Sequence, residues 1–505
     1  MGKSKSVIDL TEISGNLSKI SKSMSGVDLS ANTFLRMGKA TPENLDQYCY
    51  HNGRFRLLKL LFLLLLFLPN SLFEVTFQII RIFALKEKKP NMPNTTKISY
   101  ESIFVSHHTL AATNKEDLYF GLLPVLSQSI LGKSAVFMIN HTKIGTLELH
   151  KLLKFRKDAD HFVSSKTLPI GELLRIVYQQ FVVGIQMVSK AILIKNASLD
   201  FRTLLLHAAI KQLSKPTLAS IILVRNIEKI VANLKPKRIL ITFEGHSFEL
   251  LTLKMIHNRY PNVRVMLYQF APLVKTQYGF FETLTELRKS DIVFTTGKTT
   301  RDYVLRNSSL LENQVVILGS PKTLPLTLGI KLKQHNLSTG ITCLFAAEAS
   351  KEDTHTMLEL ALHCSRALPN KKFILRLHPA YHFDGADMLK AEKNFPYNLC
   401  FSRNNLEDDL RIASFCVYRS TAVAIQGLAE GVRPIHYSSF SDNELDPLAV
   451  TSLWHKNITN AGQLISYLDS VVESEISGLE PSLDQMMAAY RDYFQPINEQ
   501  AIVHS

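Results

Sequence analysis

From residue 98 onward, short apolar runs rich in β-branched residues alternate with amphipathic stretches. Strands separated by helices are typical of parallel βαβ units, so the pattern predicts an α/β protein with doubly wound sheets. Helices are expected around Asp117–Gln128 and over most of 170–233. The predicted strands are SIFVSHH (102–108), SAVFMINH (134–141), RILITFEGHS (238–247), VRVMLYQF (263–270), DIVFTTG (291–297), QVVILGSPK (314–322), ITCLFAAEAS (341–350), KFILRLHPAY (372–381), SFCVYRST (414–421) and RPIHYSS (433–439).

A polar tract divides this alternation into two series. The first series ends at GSPKTLP (319–325), and KLKQHNLSTG (331–340) precedes the second. We therefore expect two Rossmann-like domains, over 98–325 and 326–505, that face each other across a cleft. The C-terminal domain would include the helices at the end of the chain.

The segment before these domains has a different pattern. Residues 1–53 are polar and Ser-rich, and we expect a flexible N-terminal region there. Residues 54–97 contain eight Lys/Arg and two acids around the apolar run 57–85. The first part of this run, 57–68, would form a helix about 18 Å long, shorter than a hydrocarbon core of about 30 Å.

Pro69 and Asn70 interrupt the run, and the part after them places Glu74, Gln78 and Arg81 on one stripe of a helix. Spanning a bilayer would bury these three side chains in lipid, whereas an in-plane helix leaves them at the headgroups. The sequence therefore predicts a membrane-surface anchor at 54–97. A buried pair of core helices and a true membrane span are the alternatives.

Charge and cysteine usage narrow the class of protein. A formal net charge of +14 indicates an anionic neighbour. The charge is concentrated around the apolar run rather than interleaved with exposed aromatic residues, so nucleic acid is not the expected partner. The five cysteines form no CxxC pair, which favours a reducing compartment. The first apolar run begins at Leu57, too late for an export signal.

Polar residues at the ends of predicted strands are the candidates for chemistry, because ligands of open α/β sheets bind at the carboxyl ends of strands. Glu244 ends a strand before Gly245 and could act as a general base, with His246 beside it. His107 and His108 end the first strand and could line the same cleft. A simple helix cap remains the alternative for Glu244.

The second series carries two further motifs. His378 ends a strand before Pro379, and an imidazole there could donate to a phosphate or protonate a leaving group. Ser420 and Thr421 lie between a strand and a helix, where hydroxyls and free N–H groups form an anion site. The alternatives are an exposed loop histidine and ordinary Ser/Thr helix caps.

Nucleotide, zinc and hydrolase motifs are missing from the sequence. It contains no G-x-x-x-x-G-K-[ST], G-x-G-x-x-G, H-E-x-x-H or G-x-S-x-G. LEDDLRIA places Glu407, Asp408 and Asp409 on the polar face of an amphipathic helix, where we expect solvated carboxylates rather than a metal site. No metal site is predicted.

The order of an acidic-Gly motif at Glu244, a His-Pro motif at His378 and a Ser-Thr motif at Ser420 resembles bacterial GT-B glycosyltransferases, specifically the sialyltransferase-like and surface-carbohydrate group. The resemblance covers roughly residues 100–450. It implies a GT-B fold whose C-terminal half binds a nucleotide sugar, often activated by CMP. His378 with Pro379 would contact the phosphate, Ser420 and Thr421 would hold its oxygens, and Glu244, or less favourably His246, would be the base.

Such enzymes invert configuration and typically need no metal ion or other cofactor for the chemistry. Three positions depart from the pattern of this group. Phe243 stands where a second acid is common, Gln426 where a carboxylate often meets the ribose, and Phe270 where a histidine is frequent. A glutamine amide can still bond a hydroxyl, less strongly than a carboxylate can.

The function expected from these observations is an inverting, metal-independent glycosyltransferase on the cytoplasmic face of the cell membrane. It would move a sugar, by preference a sialic-acid-like or Kdo-like nonulosonate, from CMP to a bacterial surface glycan or lipid-linked acceptor. The basic anchor would bind the anionic membrane surface. The alternatives are a phosphoglycerol-type transferase that uses a CDP-activated donor and a non-catalytic GT-B scaffold that binds a glycan or a partner.

Overall fold

The computed structural model describes residues 31–33, nine positions between 63 and 80, and the ranges 99–108, 117–142, 144–153, 159–194, 199–274, 277–321, 340–348, 351–378, 392–438, 445–471 and 481–503. Most of the predicted N-terminal region 1–53 and much of the predicted anchor 54–97 lie outside these residues, as does Pro379. The described residues form two parallel β-sheets with helices around them, which confirms the predicted α/β class.

The first sheet has seven strands in the order β3-β2-β1-β4-β5-β6-β7, and every strand pair in it is parallel. Its strands are β1 Ser102–His108, β2 Ser134–Asn140, β3 Asp160–Val163, β4 Arg238–Thr242, β5 Arg264–Gln269, β6 Ile292–Thr295 and β7 Val315–Ile317. Alternate residues of a strand face opposite sides of a sheet. Accordingly, Ile103 and Val105 pack into one core and Phe104 into the other.

The second sheet has six parallel strands in the order β10-β9-β8-β11-β12-β13. Its strands are β8 Thr342–Ala346, β9 Lys372–Arg376, β10 Leu399–Phe401, β11 Phe415–Tyr418, β12 Arg433–Tyr437 and β13 Lys456–Ile458. Cys343 and Phe345 pack on one side of this sheet, and Leu344 and Ala346 pack on the other. Both sheets are thus covered on both faces, which explains the nearly continuous apolar runs of their strands.

The described helices connect these strands. They are α1 Leu123–Leu131, α2 Thr146–Leu153, α3 Ile170–Leu193, α4 Leu199–Lys211, α5 Lys215–Leu234, α6 Ser247–Arg259, α7 Tyr278–Leu284, α8 Lys298–Asn307, α9 Lys351–Ala367, α10 Leu406–Ile412, α11 Val423–Ala429, α12 Ala461–Ser470, α13 Leu483–Tyr493 and α14 Glu499–Val503. Short 3₁₀ turns lie at Glu312–Gln314 and Pro447–Val450. The helix expected around Asp117–Gln128 begins later, at Leu123, after a bridge between Asp117 and Gly121.

After α13 the chain returns to the first sheet. The N–H of Gln495 donates to the carbonyl oxygen of Thr296, and the N–H of Asn498 donates to that of Leu318. A side chain at Gly319, whose φ is +90°, would overlap the backbone of Pro496. Ile502 is buried in the core of the first sheet. The two sheets are therefore joined both by the connection before β8 and by this C-terminal return.

The acidic run on α10 differs from expectation at one residue. Asp409 is fully buried rather than solvated, and its carboxylate pairs with Arg376 at 2.7 Å. It also accepts a hydrogen bond from Ser402. The prediction of solvated carboxylates is wrong here because Asp409 lies on the side of α10 that faces β9, where Arg376 compensates its charge.

Candidate active site

Each sheet reverses its strand order at one point, between β1 and β4 in the first and between β8 and β11 in the second. In open α/β sheets, ligands bind outside the carboxyl ends of the strands at such a reversal. Val105 pairs with Ile241, which brings the residues after β4 beside the end of β1. Val417 pairs with Phe345, which does the same for the ends of β11 and β8. The predicted site residues lie near these two points.

The turn after β4 is held by the carboxylate of Glu249, which is fully buried at the start of α6. This carboxylate accepts the backbone N–H groups of Glu244 at 3.1 Å, Gly245 at 2.7 Å and His246 at 2.7 Å. Gly245 has a φ of +90°, and a Cβ there would overlap the backbone nitrogen of Phe280. The predicted sharp turn at Gly245 is therefore present, and Glu249 rather than Glu244 supplies the cap.

Glu244 and His246 form a pair at the surface of this turn. Oε2 of Glu244 lies 3.1 Å from Nε2 of His246, and the two side chains are 29% and 48% exposed. The preceding Phe243 points into the core and stacks on Phe280, with ring centroids 4.4 Å apart. Because neighbouring strand residues face opposite sides, Phe243 serves packing and leaves Glu244 as the accessible carboxylate.

Two imidazoles face this pair from β1 and from the end of β2. Nδ1 of His107 and Nε2 of His141 lie 2.7 Å apart and share a hydrogen bond. Burial lowers the pKa of His107 to about 3, and His141 contributes in the same direction, while Glu244 opposes the shift. Burial also lowers the pKa of His141, with help from His246 and Lys166. Both rings are therefore neutral at pH 7.

Aromatic rings complete the surroundings of Glu244. The ring of His107 lies 5.3 Å from Tyr119 and 5.9 Å from Phe248, and Tyr119 lies 4.7 Å from Phe270. Burial raises the pKa of Tyr119 to about 12, and Glu244 adds to this shift. The site thus combines a partly exposed carboxylate, neutral imidazoles and a protonated phenol, a set of groups that can accept and pass a proton.

The side chain of His108 points in a different direction from that of His107. Its side chain is buried, and its carbonyl oxygen accepts the backbone N–H of His141. Because successive strand residues point to opposite faces, the ring of His108 is directed away from that of His107. The structure therefore brings His107, but not the ring of His108, toward Glu244.

A buried ion pair marks the reversal of the second sheet. Nη1 of Arg419 lies 3.2 Å from Oδ1 of Asp353, and both side chains are buried. The other carboxylate oxygen of Asp353 accepts the N–H of Glu348 at 2.6 Å. Burial raises the pKa of Asp353 to about 6, Glu348 adds to this effect, and Arg419 opposes it. Arg419, which carries this guanidinium, immediately precedes Ser420 in the chain, just after the end of β11.

The residues predicted to bind phosphate follow strands β9 and β11. Ser420 is buried, and Oγ1 of Thr421 accepts the N–H of Val423 at 3.4 Å. The N-cap of α11 is Ala422, without a side-chain cap, and Gln426 lies half-buried on that helix. His378 lies half-buried just beyond β9. Because β8 separates β9 from β11, His378 and Ser420 follow strands roughly 10 Å apart.

A second buried network adjoins the end of β11. The hydroxyl of Tyr418 donates to Asp446 at 2.8 Å, and Nε2 of His455 lies 2.5 Å from the same carboxylate. The hydrogen bond and charge of His455 hold the pKa of Asp446 below its usual range although burial acts in the opposite direction. Asp446 in turn raises the pKa of His455 against the effect of burial. This network fixes the chain beyond β12 against the end of β11.

Within the described ranges, no group of three or more His, Cys, Asp or Glu side chains is placed to hold a metal ion. A cavity of about 500 Å³ lies between α8 and residues 449–452, with Lys298, Tyr303 and Asp492 on its wall. None of the predicted site residues lines this cavity.

The sequence analysis did not single out His141, Arg419, Glu348 or Asp353. Two signals could have identified them. His141 and Arg419 directly follow apolar strand runs, as Glu244 does. The spacing from Glu244 to Glu249 also recurs from Glu348 to Asp353, each time after a strand and into a helix.

No protein family and no individual curated protein matches this chain by sequence. Among solved structures, a UDP-GlcNAc 2-epimerase from Neisseria meningitidis bound to UDP-GlcNAc has a TM-score of 0.44 and 13% identity, covering 80% of this chain and 98% of its own. The glycosyltransferase SnogD from Streptomyces nogalater has a TM-score of 0.46 and 12% identity, covering 80% and 99%. With TM-scores below 0.5, these similarities leave the function of this chain to its own residues.

Proposed function

We propose that this chain is a glycosyltransferase that uses a nucleotide sugar, with Glu244 as the base toward an acceptor hydroxyl. The observation that carries the proposal is the Glu244–His246 pair on a rigid turn at the strand reversal of the first sheet. A general base must stand where a ligand binds and must reach the proton it removes. Glu244 meets the first condition through its strand and the second through its partial exposure.

The neutral imidazoles suit this role. Because His107 and His141 carry no positive charge at pH 7, they do not neutralise the carboxylate of Glu244 through an ion pair. His246 is more exposed than Glu244 and can take up the proton from it. We assign the base to Glu244 and the relay to His246.

The donor would bind at the reversal of the second sheet. Ser420, Thr421 and His378 provide hydrogen-bond donors, and the positively charged Arg419 immediately precedes Ser420 in the chain, a combination that suits a phosphate. In the reaction, Glu244 removes the proton of the acceptor hydroxyl, and the oxygen attacks the anomeric carbon. The bond from that carbon to the phosphate oxygen breaks, and the nucleotide leaves with the electron pair. A single in-line displacement inverts the anomeric centre.

We take CMP as the preferred nucleotide and a sialic-acid-like or Kdo-like nonulosonate as the preferred sugar, with a surface glycan or lipid-linked sugar as acceptor. The proposed reaction uses no metal ion. These finer assignments follow from the acidic-Gly, His-Pro and Ser-Thr motifs at Glu244, His378 and Ser420.

A thermal-shift panel of CMP, CDP, UDP and GDP tests the donor site, because binding to the native state raises apparent stability by RT ln(1 + [L]/Kd). We expect a selective shift with CMP that the Glu244→Gln variant retains. Transfer from CMP-activated nonulosonates to a membrane glycolipid extract, with and without EDTA, tests the reaction and its independence of metal.

Three other outcomes would support a different function or a different donor. A shift with CDP and none with CMP would favour phosphoglycerol transfer from a CDP-activated donor. No shift with any nucleotide and no transfer would leave a non-catalytic glycan-binding or partner-binding protein. A shift with UDP and turnover of a UDP-sugar would keep the transferase and overturn the CMP donor.

A further inference from the structure

Helix α3, Ile170–Leu193, leaves a row of large apolar side chains exposed. Tyr178 is 68% exposed and Leu193 74%, and Ile170, Leu174 and Ile185 are each more than one-third exposed. The opposite side of the helix packs into the protein through Leu173, Ile176, Val177, Met187 and Ala191. At 1.5 Å per residue, the helix is about 36 Å long. Its apolar row is therefore a surface feature and not part of a core.

Among the described helices, α3 is long and apolar enough to cross a membrane, judged by length and composition alone. Of its most apolar window, 28% is buried inside the protein. The guanidinium of Arg202 on α4 donates to the carbonyl oxygens of Ala191 at 3.0 Å and Ile192 at 3.1 Å. Because α3 is tied along one side to a folded domain, it can meet a bilayer only with the other side. The expected orientation is parallel to the membrane plane.

The charges around this row favour an anionic surface. Arg175 and Lys190 are exposed on α3, whereas its acid, Glu172, is held by Lys229 at 3.3 Å. Between residues 170 and 220 the acids are Glu172 and Asp200. The basic residues of the same range are Arg175, Lys190, Lys195, Arg202, Lys211 and Lys215. An apolar helix face with basic residues beside it is the pattern of helices that bind anionic lipid.

The apolar segment near the N-terminus meets the same helix. Leu63 and Phe67 are buried, and a Cβ at Gly184 of α3 would lie 3.2 Å from the ring of Phe67. Other helical positions of this segment are exposed, namely Leu65, Phe73, Phe77 and Ile80. The segment predicted to be an anchor thus packs on α3 with some of its apolar residues and exposes others.

We propose that the exposed face of α3, together with the exposed apolar residues of this N-terminal segment, is a docking surface for an anionic lipid bilayer. It holds the protein in the plane of the membrane surface. This surface uses none of the residues assigned to the proposed transferase reaction and is independent of it.

Co-sedimentation of the full chain with vesicles tests this surface. Vesicles of phosphatidylcholine alone are compared with vesicles of equal parts phosphatidylcholine and phosphatidylglycerol. We expect binding to the anionic vesicles, and about a tenfold or greater loss of partitioning in the triple variant Leu174→Ser, Tyr178→Ser, Ile185→Ser, because three apolar side chains no longer enter the interface. The matched control replaces three exposed apolar residues elsewhere, Leu311→Ser, Ile412→Ser and Trp454→Ser, and should bind as the wild type does.

A second pair of variants isolates the charge. Arg175→Glu with Lys190→Glu should weaken binding to anionic vesicles about tenfold and leave the weak binding to neutral vesicles unchanged. Lys289→Glu with Arg306→Glu, which change two exposed basic residues outside this surface, should bind as the wild type does. Circular dichroism and the nucleotide thermal shift serve as folding controls, so a failure of membrane docking stays distinguishable from a failure of the transferase assignment.

Three results would overturn the proposal. The first is an unchanged vesicle affinity in the folded Leu174, Tyr178 and Ile185 variant. The second is a lipid-free oligomer that this variant dissociates, which would assign the face to a second copy of the chain. The third is resistance of the membrane-bound wild type to alkaline extraction, which would indicate a true span.

Discussion

At the reversal between β1 and β4, the buried carboxylate of Glu249 accepts three backbone N–H groups and has no cation bonded to it in the described structure. At the reversal between β8 and β11, the buried carboxylate of Asp353 accepts one N–H group and pairs with Arg419. The same local device, an acid five residues beyond a strand-end glutamate, therefore creates two different environments. The first leaves Glu244 as the accessible charge, and the second pairs its buried acid with Arg419, the residue before Ser420.

This difference assigns different chemistry to the two edges. A carboxylate among neutral imidazoles suits proton transfer, whereas the hydroxyls of Ser420 and Thr421 suit hydrogen bonds to a phosphate. Variants at Glu244, Glu249 and His378 test this division.

Glu244→Gln removes the proposed base and keeps the size and hydrogen-bonding capacity of the side chain. We expect turnover to fall by about 10²–10⁴-fold, the usual contribution of general base catalysis, with nucleotide affinity unchanged. Steady-state kinetics and calorimetric titration measure the two quantities. Glu286→Gln changes an exposed glutamate that the proposed site does not use. It is the control and should leave both turnover and nucleotide affinity unchanged. Near-normal turnover in Glu244→Gln would transfer the role to His246 or His107.

The second prediction concerns stability and pH. Burial raises the pKa of Glu249 from 4.5 to about 7 in the folded protein. Between these values the folded state holds a proton that the unfolded state releases, so stability is fully present below pH 4.5 and decreases as the pH rises to about 7. The loss attributable to Glu249 is about 3 kcal/mol.

Denaturant unfolding from pH 4.5 to 8 measures this dependence. Glu249→Gln should flatten it, although its stability at low pH is lower because an amide caps the turn less well than a carboxyl group. Asp353→Asn should remove only the part of the slope that ends near pH 6, where the pKa of Asp353 lies. If Glu249→Gln kept the full wild-type dependence of stability on pH, the electrostatic environment of the first reversal would not differ from that of the second.

The third prediction concerns the second reversal and has the smallest effect. His378→Ala should weaken binding of CMP by about 1.5–3 kcal/mol, the range for a hydrogen bond to a charged group. Ser420→Ala and Thr421→Ala should each have a smaller effect and should not add to that of His378, because all three share one phosphate. Calorimetric titration checks these values, with circular dichroism as the folding control. Unchanged affinity in a folded His378→Ala protein would remove the histidine from the site.

The α/β class and the positions of the strands that are buried on both faces could be predicted from the sequence alone. Such strands carry continuous apolar runs, and SIFVSHH predicted β1 with its observed bounds. The sequence alone did not identify β3, β10 or β13, which are edge strands of three or four residues. Strands of this length give a pattern too short to distinguish from a loop.

The same division holds for the candidate site. Glu244, His246 and His107 were identified from sequence because a polar residue after an apolar run marks a strand end, whatever the fold around it. The contacts of His141 with His107 and of Asp409 with Arg376 became evident only in the folded structure. These contacts depend on which strands are neighbours, and strand order is set by packing between segments far apart in the chain, which local sequence patterns do not record.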